Sequence, residues 1–265
     1  MERRYISTRM NSNTITVGYT IFNKAHLISE IIHGVKQCFS RDDEIIFLFD
    51  NCTDNSLKLF QQLNDFGARV IVPDAELFEI KANNVLLREA KGNVVILFQD
   101  DMVCEDIHIK EKIGNVIAFY GKSLGLLGGR DGFELNELSF PEKPISRVSA
   151  WQHIKDENTL LKPFEYAGRT ILNRGPLVFT KDLLRNVGYL DEIFYPQWGD
   201  DVDYCCRARF SHGLQNVVFQ CDIKSPLEWG TTRRGSKLKR GYDRIMRRNW
   251  DLITSRWGKF LTTKV

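Results

Sequence analysis

The sequence has no long apolar run. Its longest aliphatic or aromatic stretches, residues 45–49 (IIFLF) and 94–98 (VVILF), fall far short of the ~20 residues needed to cross a bilayer. The polar start MERRYISTRMNSN is followed by no apolar segment, so no signal peptide is expected. The six cysteines (Cys38, Cys52, Cys104, Cys205, Cys206 and Cys221) include no CxxC pair, which argues against an oxidised framework and for reduced, buried thiols. Cys205, Cys206, His212 and Cys221 fit no common zinc spacing. The expectation is a soluble, cytoplasmic chain, in which the Asn51-Cys52-Thr53 sequon has no meaning. GxGxxG after a strand and GxxxxGK[ST] are missing, Gly125–Gly129 (GLLGG) fits neither, and the one GxSxG spacing, Gly121–Gly125 (GKSLG), follows an expected helix instead of a strand. Dinucleotide binding of the common type, P-loop chemistry and the nucleophile elbow are thereby set aside. His26, His33, His108, His153 and His212 form no cluster, and there is no internal repeat or low-complexity tract.

What is present is a globular composition: 265 residues, 43% hydrophobic and 27% charged. A chain of this size buries roughly three quarters of its unfolded surface and needs no covalent staple. Its net charge of +3 hides an asymmetry. Residues 224–265 hold twelve Lys and Arg against three acids, a net +9, while the rest carries 25 basic and 31 acidic groups, a net −6. An acidic body with a basic C-terminal segment points to an anionic partner such as phosphate or a lipid surface, or else to a solvated, arginine-rich helix. No nucleic-acid motif is present, and the acidic body would repel a polyanion.

Along the first two thirds, strand-like and helix-like segments alternate. Strands are expected at 15–21, 44–50, 68–72 and 93–101. Helices are expected at 24–39, at 56–66 and before Gly92. Further on come a helix at 106–120, strands near 124–127, 175–180 and 216–220, and helices at 181–187, 200–211 and 238–255. Segment 130–163 is long and polar and holds three of the seven prolines together with Trp151, which reads as a functional loop or lid. Near-continuous apolar strands alternating with helices argue for an α/β fold with a mainly parallel sheet covered on both faces. Ligands of such sheets bind beyond the carboxyl ends of the strands, where Asp50 and Asp100–Asp101 fall. A third acidic cluster, Asp200, Asp201 and Asp203, lies at a helix start. Each cluster has an ordinary alternative, because aspartates also cap helices and shape turns. Adjacent strand-end aspartates can instead hold a hard divalent cation, and a further carboxylate can act as a general base.

Four segments in order, ITVGYTIFN, LFDNCTDNS, NNVLLREAKGNVVILFQDDM and GPLVFTKDLLRNVGYLDEIF…WGDDVDYCCRARFSHG, resemble the successive motifs of the family 2 glycosyltransferases, which have the GT-A fold. The terminal RRNWDLITSRWGKF is similar to the end of some bacterial members that build surface polysaccharides. The resemblance implies a catalytic domain at 1–223, with a nucleotide-sugar half at about 14–129 and an acceptor half at about 130–223, followed by a basic tail at 224–265.

Residue by residue, the resemblance implies that Thr20 and Phe22 border the nucleotide base and that Asp50 hydrogen-bonds it. Asn84 matches the asparagine of an N…A.G element, with Lys81 beside it as a phosphate contact. Asp100 would meet the ribose and Asp101 would hold Mn²⁺ or Mg²⁺. Asp200-Asp201 matches the acidic pair near the acceptor and makes Asp201 the candidate base, with Asp200 and Asp203 raising its pKa through like charge. Trp198 and Trp229 either stack on an acceptor sugar or are packed. Arg174 either reaches diphosphate or forms a surface pair, and Arg233 with Arg234 would close over the diphosphate as a flap. Asp203 joins these acceptor or phosphate candidates.

The implied activity is inverting transfer of a sugar from a nucleoside diphosphate donor (UDP- or dTDP-linked) to a hydroxyl of a glycan or lipid-linked acceptor. The basic tail would touch an anionic membrane at its inner face. Alternatives are an inactive binder of glycans or sugar nucleotides, and a nucleotidyltransferase that forms sugar nucleotides. The sequence departs from the family pattern at four points: Gln99 replaces the first acid of DxD, DNCTDNS is one residue short with Cys52 where glycine is frequent, Asp200 replaces a glutamate, and Pro226–Gly230 lacks a metal-binding histidine.

Overall fold

The computed structural model describes residues 14–133, 147–149, 161–173, 175–226, 229–230 and 241–261. In chain order they form β1 (Ile15–Ile21), α1 (Ile28–Cys38), β2 (Glu44–Phe49), α2 (Ser56–Leu63), β3 (Arg69–Ile71), α3 (Phe78–Glu89), β4 (Val94–Phe98) and β5 (Val103–Cys104). Then come α4 (Ile109–Tyr120), β6 (Leu124–Gly128), β7 (Asp131–Phe133), β8 (Arg147–Ser149), β9 (Tyr166–Arg169), β10 (Ile171–Asn173), β11 (Leu177–Thr180) and α5 (Lys181–Val187). The last elements are α6 (Asp200–Cys206), β12 (Gln215–Phe219), β13 (Ile223–Lys224) and α7 (Tyr242–Leu261).

The main sheet has the order β3-β2-β1-β4-β11-β6-β12-β9. Strands β3, β2, β1 and β4 are mutually parallel, β11 runs against both β4 and β6, and β9 runs against β12. Because side chains alternate along a strand, each central strand feeds two cores. Ile15, Val17, Tyr19, Ile45, Phe47, Phe49, Ile96 and Phe98 join α1, α2 and α4 on one face. Ile46, Leu48, Val95 and Leu97 join α3, α5, α6 and α7 on the other. Tyr19 stacks between Phe47 (5.1 Å) and Phe98 (4.9 Å), which locks three neighbouring strands. On the opposite face Gly18 lets α3 approach: a β-carbon there would lie 3.0 Å from Leu97 and 3.1 Å from Leu86.

The expected elements are present, with shifted ends. The helix expected at 200–211 is α6 continued by a π-helical turn, Arg207–Ser211, and α7 lies a turn later than its expected 238–255. It does not trail away as a separate tail, since Ile253 and Trp257 enter the second core. Most of segment 130–163 lies outside the described residues. Its described parts include β7 and β8, which pair with β10 in a small antiparallel sheet. Among the described residues no helix is long and apolar enough to cross a membrane.

Candidate functional site

The parallel register sets Ile21 beside Phe49 and Tyr19 beside Phe98, so β1, β2 and β4 release their following residues at one edge. Phe22 N–H donates to Asp100 Oδ2 (3.2 Å), tying the end of β1 to the end of β4. Asp50, only 5% exposed, accepts from the N–H groups of Leu77 (2.7 Å) and Phe78 (2.8 Å) and thereby caps α3. Burial still pushes its carboxyl above the ordinary value, outweighing those two donors. Phe78 is held there at φ +56°, a region costly for a bulky residue. Thr20 is half-buried beside them at the end of β1.

Asp100 keeps 19% of its side-chain surface open, yet burial pushes its pKa up to about 7, helped by Asp101 and Glu79 and opposed by Lys24 and the Phe22 N–H. Asp101 is raised too, mainly by burial and also by Glu79, against attraction from Lys24 and Arg130. Lys24 is wholly buried. Its ammonium lies 3.5 Å from Asp100 and donates to the Trp229 carbonyl, which fixes the segment after β13 against this edge. Lys24, Glu79 and Arg130 carry no motif signal, because only the fold gathers them. Gln99 uses its amide to donate to Glu79 Oε1 (2.5 Å), so α3 brings a carboxylate to the place where the sequence lacks one.

The shortened DNCTDNS loop is held by local bonds. Asn51 and Asn23 adopt φ +50° and +52°, and Asn23 Oδ1 accepts from Thr53 N–H (2.7 Å) and Asp54 N–H (3.2 Å). Cys52 Sγ donates to the Ile21 carbonyl (3.3 Å), and burial raises its pKa to about 11. It is thus a packed thiol that joins two loops. Asp54 is raised by burial but held below the ordinary range by bonds from Ser56 and Ala25.

Several expected residues are engaged by other parts of the protein. Asn84 is fully buried. Its amide donates to the Leu190 carbonyl (2.9 Å) and to Glu192 (3.0 Å) and accepts from Leu190 N–H (3.0 Å), so it ties α3 to the segment after α5 and presents no surface to a donor. Lys81 lies over the Tyr195 ring at 4.3 Å, and Tyr195 in turn meets Phe78 edge-on at 5.5 Å. Asp203 is also fully buried. It accepts from Arg207 (2.8 Å), Arg256 (3.0 Å) and Trp257 Nε1 (3.0 Å), a hub between α6 and α7. Arg174, Arg233 and Arg234 lie outside the described residues.

Asp200 and Asp201, 1% and 8% exposed, occupy the first turn of α6, where the helix dipole favours negative charge. The cap itself is Gly199 at φ +92°, not an aspartate. Trp198, at φ +76°, is half-buried with its ring 5.6 Å from that of Trp250. Trp229 is half-buried beneath the Lys224 ammonium at 5.0 Å. Among the described residues no three His, Cys, Asp or Glu side chains converge in a way that would hold a metal.

Comparison with known proteins fits this geometry. GalNAc-T7, solved with UDP, GalNAc and Mn²⁺, superposes with a TM-score of 0.67 at 14% identity over 92% of this chain and 48% of its own. The mannosyltransferase PcManGT of Pyrobaculum calidifontis, in complex with GDP-Man and Mn²⁺, gives 0.54 at 16% identity over 78% of this chain and 56% of its own. TarS 1-349 of S. aureus gives 0.53 at 15% identity, covering 91% and 72%. At such identities the likeness is one of fold, and the chain spans about half the length of the first two. No curated protein sequence matches it. The family profile described as "Glycosyl transferase family 2" matches residues 16–159, more than half of the sequence, and its span includes all three strand-end carboxylates. The chain belongs to glycosyltransferase family 2 and has the GT-A fold.

Proposed function

We propose that the chain moves a sugar from a nucleoside diphosphate donor, UDP- or dTDP-linked, to a hydroxyl of a glycan or lipid-linked acceptor, with inversion at the anomeric carbon. The observation that carries this reading is the set of desolvated carboxylates, Asp50, Asp100 and Asp101, on one edge of the sheet. Thr20, Phe22 and Asp50 would border the base, Asp100 would meet the ribose, and Lys81 would face phosphate. Solved relatives of the same fold hold UDP or GDP-Man together with Mn²⁺, which supports a nucleotide-sugar donor.

The donor set suits a hard divalent cation. Both adjacent carboxyls are raised by burial, and Lys24 and Arg130 oppose that rise only in part. Asp101 would supply the protein ligand, leaving other positions to diphosphate and water, as is usual for Mg²⁺-type nucleotide sites. Mn²⁺ or Mg²⁺ held there would offset charge on the departing diphosphate. Asp201 would accept the proton of the acceptor hydroxyl as that oxygen attacks the face opposite the diphosphate. The anomeric carbon takes on oxocarbenium character, as in glycoside hydrolysis. Asp200, in the same helical turn, would help orient the acceptor, and Trp198 would present a ring face to it.

The reading extends to a cytoplasmic location at an anionic membrane surface. It is supported by the net +9 of residues 224–265 and by the exposure of Arg244 and Arg247 on α7. Arg248 and Arg256 are already engaged within the protein, so a salt-sensitive contact would fall to the exposed pair.

The test is a thermal-shift panel of nucleoside diphosphates and sugar nucleotides with and without Mn²⁺, since a ligand that binds only the folded state raises Tm. A Mn²⁺-dependent rise with one base supports the reading and names the donor. No rise with any of them refutes it.

A further inference from the structure

Helix α7 reaches the acidic pair through one buried amide. Asn249, with no exposed surface, directs Nδ2 at three carbonyls, those of Phe194 (2.9 Å), Gln197 (2.9 Å) and Trp198 (2.7 Å). Its neighbour Arg248 donates to the carbonyls of Ile193 (3.2 Å) and Tyr195 (2.6 Å). The same guanidinium donates to Asn249 Oδ1 from Nε (2.8 Å) and from a terminal nitrogen (2.6 Å). That second contact sets the sense of the amide: oxygen toward the guanidinium, nitrogen toward the carbonyls. Two consecutive residues of α7 therefore satisfy five carbonyls of the 193–198 span.

This span has little structure of its own beyond the 3-10 turn Glu192–Phe194. Buried carbonyls without a ladder need partners from elsewhere, and here those partners come from a helix some fifty residues further along the chain. The backbone then passes through two left-handed residues, Trp198 (φ +76°) and Gly199 (φ +92°), before Asp200 and Asp201 open α6. For tryptophan that conformation is costly and persists only where the surroundings over-determine it. A β-carbon on Gly199 would crowd Phe194 at 3.2 Å and lie in ordinary contact with Asn249 at 3.6 Å, so the turn also packs beside the same residue.

We propose that Asn249 is a positioning residue, through which α7 holds the 194–199 turn in the one form that presents Asp200 and Asp201 to the acceptor. Its kinetic consequence rests on the reading of Asp201 as the base. Its structural content does not. The donor edge is built from β1, β2, β4 and α3, none of which Asn249 touches by hydrogen bond. The clamped span meets α3 through the Tyr195 ring, at Phe78 and Lys81. Asn249 holds the carbonyls of Phe194, Gln197 and Trp198 on the side of α6, so the two halves of the reaction separate in an Asn249 variant.

The discriminating substitution is Asn249→Asp. It keeps size and the Arg248 contact but turns an oxygen toward three carbonyl oxygens. The expected result is a fall in kcat of roughly 100-fold, the scale of a small misplacement of a reacting group, with donor KM and nucleoside diphosphate binding unchanged. Hydrogen exchange read by mass spectrometry should quicken at residues 199–204 and stay at the wild-type rate in β1 and β4. If Asn249→Asp does not fold, Arg248→Ala, on an exposed side chain, should give a smaller loss of the same pattern. Wild-type kcat in a folded variant overturns the proposal, as does a kcat loss matched by an equal loss of nucleotide binding. If the wild-type protein transfers no sugar, the donor–acceptor reading fails alone. The exchange experiment then decides the clamp, and wild-type protection of 199–204 in the variant overturns it.

Discussion

The same parallel strands carry carboxylates at both ends, and the two ends treat them in opposite ways. At the amino end, Glu44 accepts from Thr16 Oγ1 (2.7 Å), Lys91 N–H (2.7 Å) and Arg69 (2.7 Å). Burial alone would raise it, but these three partners hold its pKa below the ordinary 4.5. At the carboxyl end, Asp100 and Asp101 have cations near them and are nevertheless raised, Asp100 to about 7. A carboxylate that serves the fold is one whose partners are complete. The raised carboxylates at the strand ends are the ones proposed above to meet a ligand, and perturbed groups of this kind cluster at functional sites. Asp203 belongs with Glu44: wholly buried, it is matched by two arginines and an indole N–H.

Substitutions that treat the two classes alike would break this contrast, and the largest effects should come from the site. Asp201→Asn should lower kcat by roughly 10²–10⁴-fold, the range for loss of a general base, with nucleotide binding intact in a direct titration. Asp101→Ala should cost roughly 10²–10³-fold in transfer, as for loss of one preorganised electrostatic group, and should remove the Mn²⁺ dependence of binding. Neither change should lower Tm by much. Structural carboxylates should show the reverse pattern. Asp203→Asn leaves Arg207 and Arg256 without their shared counter-charge. Both are partly exposed, so the loss should be roughly 3 kcal/mol, the lower end for a pair broken from one side, as read by urea denaturation. Glu44→Gln, which keeps part of its bonding, should cost roughly 1–2 kcal/mol with kcat unchanged.

A pH profile sharpens the contrast further. Asp100 has a folded-state pKa near 7 against an ordinary 3.8, so its contribution is fully present below about pH 4 and is lost as pH rises toward 7. Glu44 runs the other way. Its contribution is present above 4.5 and lost as pH falls through its lowered folded-state value. In a ligand-free stability profile, Asp100→Asn should flatten the limb between pH 4 and 7, and Glu44→Gln should flatten only the acid limb.

Much of the carboxylate-bearing edge was legible because it is local. Continuous apolar strands ending in acids, at Asp50 and at Asp100–Asp101, announce both the sheet and the edge where its acids gather. What escaped the sequence is what distant elements bring together. Glu79 and Lys24 look like ordinary surface charges in the chain, yet α3 sets the first against Gln99 and the loop after β1 buries the second beside Asp100. Asn84 and Asp203 are likewise placed by long-range contacts: Leu190 and Glu192 close over the first, and Arg207, Arg256 and Trp257 over the second. The basic C-terminal segment read as a charge pattern, and its apolar stripe, Ile253 and Trp257, makes it part of the core instead.

The measurement closest to the central claim is calorimetric titration of a nucleoside diphosphate with Mn²⁺ into the wild-type protein, Asp101→Ala and Glu44→Gln. The account predicts wild-type affinity for Glu44→Gln and loss of binding for Asp101→Ala. Unchanged affinity in Asp101→Ala, or an equal loss in both variants, would contradict it.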